Sequence, residues 1–157
     1  MTPFTTFMLI LSLFQTGQQS KKNEHFYNKI AHHLVGSWQA RAWSGDLHET
    51  WTIGTDSWLI QQAFYFEKTD TSYRAHSKIE RVKDDLILFT VIKDSTPKIF
   101  KATNVQPDSI VFENCDYKNP YKVVYFFDDE NHYRRTITGF EQDSQVSYTF
   151  NFKKVVP

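Results

Sequence analysis

The chain predicts an all-β fold: a single up-and-down antiparallel β-barrel of about eight to ten strands, entered through a short N-terminal helix. Three observations carry this. From Val35 onward apolar and polar residues alternate at period two. Turn residues interrupt the alternation at intervals of about ten positions, the spacing of a sandwich or barrel. The connections are too short for crossovers, so neighbouring strands run antiparallel, and closing the sheet on itself removes its exposed edges. Aromatic residues make up 17% of the 157-residue chain and glycine only five positions, which suits pleated, half-buried surfaces rather than helices or phosphate-binding loops.

The elements follow in order. Residues 1–20 contain the apolar run Phe4 to Phe14, too short to span a bilayer and of the right length for the core of a secretory signal. They are expected to be removed on export, to the periplasm or beyond, with no stable membrane insertion afterwards. Residues 21–34 form a polar linker and then a helical face, because Phe26, Ile30 and Leu34 recur at every fourth position. Residues 35–157 form the barrel. Its strands are expected at Val35 to Trp43, Asp46 to Ile53, Trp58 to Glu67, Ser72 to Val82, Leu86 to Lys93, Lys98 to Val105, Ser109 to Asn114, Tyr121 to Phe127, His132 to Gly139 and Gln145 to Lys153. Each break carries the Asp, Asn, Gly or Pro that turns require. Tyr121 to Phe127 is apolar on both faces, which predicts cover on its outer side, with the N-terminal helix as the candidate.

Lys plus Arg and Asp plus Glu are 18 each, so the formal charge is zero and the electrostatic attraction that dominates nucleic-acid binding is missing. Cys115 is the sole cysteine, which excludes an internal disulfide. The six histidines, at 25, 32, 33, 48, 76 and 132, have no metal-ligand spacing, so neither a metal nor a cofactor is expected. Phosphate-loop, serine-hydrolase and thiol-redox signatures are missing too.

Glu49 shares a face with Leu47, Trp51 and Ile53, and Arg135 shares one with Tyr133 and Ile137. If both faces point inward, a Glu49–Arg135 pair is the simplest way to satisfy two buried charges. Such a pair could plug the barrel beside Trp38, hold the head group of a ligand, or serve acid–base chemistry together with His48 or Tyr117. In the last strand Val146, Tyr148, Phe150 and Phe152 share one face, and with Trp51 they are the candidate lining of an interior site.

Gly36-Ser37-Trp38, then Glu49-Thr50-Trp51, then Phe112-Glu113-Asn114 with Pro120 and Tyr125, resemble a family of small exported bacterial proteins with a lipocalin-like barrel and no established activity. The family's third block looks like Phe-Glu-Asn-Pro-x-His-Asp-Phe-Pro. Here Phe112, Glu113, Asn114 and Pro120 keep their places, while Cys115, Tyr117, Lys118 and Asn119 replace the first proline, the histidine, the aspartate and the second phenylalanine. The resemblance implies fold and compartment, and gives Gly36, Trp38, Phe112, Glu113, Asn114 and Pro120 an architectural part. The expectation is a monomeric, non-catalytic barrel that binds a small hydrophobic or amphipathic molecule. A barrel packed shut by its own aromatic residues is the alternative.

Overall fold

The alternation read in the sequence becomes ten strands. The computed structural model describes residues 27–68, 70–92 and 95–155; the expected leader, residues 1–20, lies outside them. A helix, α1 (residues 27–34), leads into β1 (Gly36–Ala42), β2 (Gly45–Ile53), β3 (Leu59–Glu67), β4 (Asp70–Val82), β5 (Asp85–Ile92), β6 (Lys98–Gln106), β7 (Ser109–Glu113), β8 (Lys122–Phe127), β9 (His132–Glu141) and β10 (Ser144–Val155). Every strand pairs antiparallel with its sequence neighbours, and β10 pairs with β1 to close the barrel. The closing seam is short: Ser37, Trp38 and Gln39 face Val155, Lys154 and Lys153.

Strand parity sets the core. Leu47, Glu49 and Trp51 point inward from β2, Leu59, Gln61, Ala63 and Tyr65 from β3, and Tyr133 and Arg135 from β9, all of them buried. One departure from period two has a local cause. The register between β6 and β7 shifts between Ala102 and Asn104, so Thr103 is the extra residue of a bulge. Its hydroxyl donates to Glu113 Oε2 at 2.7 Å, and the shift brings Val105 onto the core side after Phe100 and Ala102.

Helix α1 lies across one end of the barrel instead of along the outer side of β8. The Tyr27 hydroxyl reaches the Ser57 carbonyl in the β2–β3 turn, and His33 stacks on Phe127 at 4.6 Å beside the β8–β9 turn. Ile30, Ala31 and Leu34 are buried in the core. The helix face thus stops an open end, where each apolar side chain meets the interior of the barrel. On the outer side of β8, Phe126 lies under the Arg134 guanidinium at 5.0 Å, and Val124 is buried.

Gly36 and Trp38 join helix, seam and core. Gly36 has φ +135, a conformation that side chains oppose, and a Cβ there would come within 2.9 Å of Lys154 Cε across the seam. The Trp38 indole N–H donates to the Leu34 carbonyl at 2.7 Å, satisfying one of the last carbonyls of α1. Its ring meets Tyr133 edge-on at 4.8 Å, with Lys154 Nζ 5.3 Å from the ring centre. Trp38→Phe keeps a ring but leaves the Leu34 carbonyl buried and unpaired. The variant should fold and lose about 1–3 kcal/mol, read from the urea midpoint at unchanged m-value.

Candidate functional site

The polar centre of the barrel is built from β2, β8 and β9. Glu49 is 1% exposed, and its carboxylate holds two partners: Tyr133 donates its hydroxyl to Oε2 at 2.6 Å, and Arg135 Nη1 lies 2.5 Å from Oε1. Arg135 is flanked by the rings of Phe152 at 5.1 Å and Phe150 at 5.8 Å, which suits a weakly hydrated guanidinium. Tyr125 is hydrogen-bonded to Arg135 and meets Trp51 and Phe112 edge-on at 6.2 Å each. Burial pushes the Tyr125 hydroxyl up to about 12, with Arg135 opposing and Glu49 adding to the shift. Burial, then the charge of Glu49, raises Tyr133 well above the ordinary tyrosine range. Both phenols therefore stay protonated, Tyr133 donating to Glu49 and Tyr125 accepting from Arg135.

Toward α1, this centre is sealed. Tyr133 stacks on Phe152 at 4.6 Å, and Trp38 closes over Tyr133. Toward the opposite end lies a cavity of about 190 Å³. Arg135 and Tyr125 form its floor with Gln61; Ala63, Ala75, Leu88 and Ile137 are among its walls, and Asn119 and Pro120 lie at its rim. The space has a structural cause. Ala63 and Ala75 face each other across β3 and β4, and Ser77 donates to Thr90 Oγ1 at 3.0 Å instead of carrying a large side chain inward.

The rim is the β7–β8 connection, and the Phe112-Glu113-Asn114…Pro120 motif builds it. Phe112 anchors it in the core. Glu113 accepts from Thr103 and pairs with Lys122 at 3.1 Å, and these two partners hold its carboxyl below the usual range. Asn114 folds the loop: its Oδ1 accepts from the Asp116 N–H at 3.0 Å and its amide donates to the Ile99 carbonyl at 2.8 Å. The Lys118 carbonyl accepts from the Phe140 N–H at 2.8 Å, and Lys98 reaches the Asn119 carbonyl. Gly139 permits this close seat, because a Cβ there would fall 2.3 Å from Asn119 Oδ1.

Of the six residues expected to line an interior site, Arg135 faces the cavity. Glu49, Trp51, Phe150 and Phe152 are buried in the packing beneath and beside it. Tyr148 is 40% exposed and outside the cavity lining; its hydroxyl donates to Glu141 at 3.1 Å and its ring lies 6.3 Å from that of Trp43. His48 lies on the outer face against Phe66, and the Tyr117 ring packs on Phe100, so the structure does not gather either with Glu49. Sequence reasoning passed over Gln61. The signal was available: Gln61 shares its face with Leu59, Ala63 and Tyr65, the same position of a polar residue in an apolar row that singled out Glu49.

Two donors at this level have no hydrogen-bond partner. Trp51 Nε1 and Gln61 Nε2 belong to residues directly paired across β2 and β3, 0% and 1% exposed. Each unpaired buried donor costs about 1–3 kcal/mol. Among the described residues, no group of three or more His, Cys, Asp or Glu is placed to hold a metal ion. A separate groove of about 300 Å³ on the outer face of β4 and β5 is lined by Trp58, Lys78, Glu80 and Phe89 among others, and there Lys78 Nζ lies 4.9 Å from the Trp58 ring centre.

Two outcomes follow from the polar centre. Glu49→Leu strands a buried guanidinium and should cost about 3–5 kcal/mol, whereas the Glu49→Leu/Arg135→Met double variant should recover most of that loss in chemical denaturation. The alkaline limb follows from Tyr125: an acid whose folded value lies above its unfolded value of about 10 contributes stability fully below that pH. The contribution is lost as pH rises toward about 12. Denaturant midpoints should therefore fall above about pH 10, and tyrosinate absorbance from Tyr125 and Tyr133 should appear only with unfolding.

No protein-family model matches this chain, and comparison with curated proteins and with solved structures finds no match either, so the family resemblance rests on the sequence motifs alone.

Proposed function

We propose that this chain is an exported, non-catalytic barrel that holds one small, partly apolar molecule in the mouth-side cavity. The observation that carries the reading is the division of the barrel. One end is filled by aromatic rings and stopped by α1, while the other keeps about 190 Å³ above a polar floor, with Asn119 and Pro120 at the rim. Apolar walls with a few convergent polar groups are the usual make-up of a small-ligand site. Export is supported by the apolar run Phe4 to Phe14. A binding role is favoured over acid–base chemistry because the Glu49 carboxylate is engaged by Tyr133 and Arg135 and is fully buried.

Protein purified without denaturant from the cells that make it should show, in native mass spectrometry, an added mass that organic extraction removes. Ala75→Leu, which fills the cavity from β4, should fold and lack that mass. Wild-type protein that carries nothing and takes up no ring-sized probe, or an Ala75→Leu variant that carries the same mass, would overturn the reading.

A further inference from the structure

We infer that the cavity selects neutral molecules about one ring in size that carry a carbonyl oxygen, and that Gln61 reads that oxygen. The inference rests on the cavity being a ligand site and adds the class of ligand.

The floor holds a donor that the protein does not satisfy. Gln61 lines the cavity, is 1% exposed, and its amide nitrogen has no hydrogen-bond partner. Its cross-strand neighbour Trp51 carries a second unpartnered N–H at the same level. Tyr125 and Arg135, also on the floor, bring a hydroxyl and a guanidinium, and the raised pKa of Tyr125 keeps its proton in place. The Glu49 carboxylate nearby already serves Tyr133 and Arg135. A ligand that brings an oxygen acceptor completes this arrangement. A hydrocarbon leaves the Gln61 donor unpaired, and a protonated amine brings a net positive charge into a site where Glu49 and Arg135 already cancel.

Charge decides between acceptors. Glu49 and Arg135 cancel, so a carboxylate head would leave one net negative charge buried beside the pair, whereas a ketone, ester or amide oxygen leaves the balance intact. Size follows from volume. An apolar cavity of about 150 Å³ accommodates benzene, so about 190 Å³ accommodates one ring with a short substituent. The aliphatic walls, Ala63, Ala75, Leu88 and Ile137, suit the ring.

The test is calorimetric titration of the full chain with acetophenone, toluene, benzoate and benzylamine. Acetophenone should bind about 5- to 10-fold more tightly than toluene, and benzoate and benzylamine more weakly than acetophenone. Gln61→Met, close in shape and without the donor, should bring acetophenone to the toluene level and leave toluene unchanged or improved. Gln61→Glu, which replaces the donor by an acceptor, should weaken acetophenone and admit benzylamine; it keeps the test open if Gln61→Met does not fold. Toluene binding as tightly as acetophenone, benzoate binding tightest, or a Gln61→Met variant that keeps the wild-type preference would overturn the inference while leaving the cavity a ligand site. If none of the four binds, the ligand-site reading falls, and the inference with it.

Discussion

A carboxylate inside a β-barrel must be compensated, here by a cation and a hydroxyl donor, and the organisation of this molecule depends on how that is done. Glu49 enters from β2 and Arg135 from β9, two strands separated by β1 and β10, so the pair tethers opposite sides of the closing seam. The seam itself has only three paired positions. The Tyr133 hydroxyl and the rings of Phe150 and Phe152 complete the surroundings of the two charges. The pair also divides the interior. Below it, large rings fill the space as far as α1; above it, small side chains on β3 and β4 leave the cavity.

Much of the fold was legible because a strand writes its two faces in alternate letters. All ten strands lie within two residues of where period two and turn chemistry put them. The helix was legible as an amphipathic face, but its place was not: a face at every fourth residue says that something must be covered, and leaves open whether that is the side of a strand or the end of a barrel. The ends of the cylinder are formed by residues far apart in sequence, such as Ser57 and Phe127, and no local pattern encodes their proximity.

The site was half legible for a related reason. Charged residues in apolar rows are conspicuous, so Glu49 and Arg135 stood out. A cavity is made by what is missing, here by Ala63 facing Ala75 across two strands, and alanine on an inward face attracts no attention alone. Size is also a joint property of the whole layer, so the large rings of β10 suggested a lined pocket where the structure shows filled packing. The Phe112-Glu113-Asn114…Pro120 motif was visible as a pattern, but its part as the rim emerged only once Asn119 was found seated against Gly139.

The stopped end has a kinetic consequence. A cylinder open at both ends lets solvent leave on one side as a guest arrives on the other; one closed by Trp38 and a helix must exchange water and guest through a single doorway. Under the proposed binding role, a guest would enter and leave past Asn119 and Pro120. These residues are anchored by the carbonyl of Lys118 on Phe140 and the side chain of Lys98 on Asn119, so on that reading the doorway belongs to the connection between β7 and β8 and not to the walls.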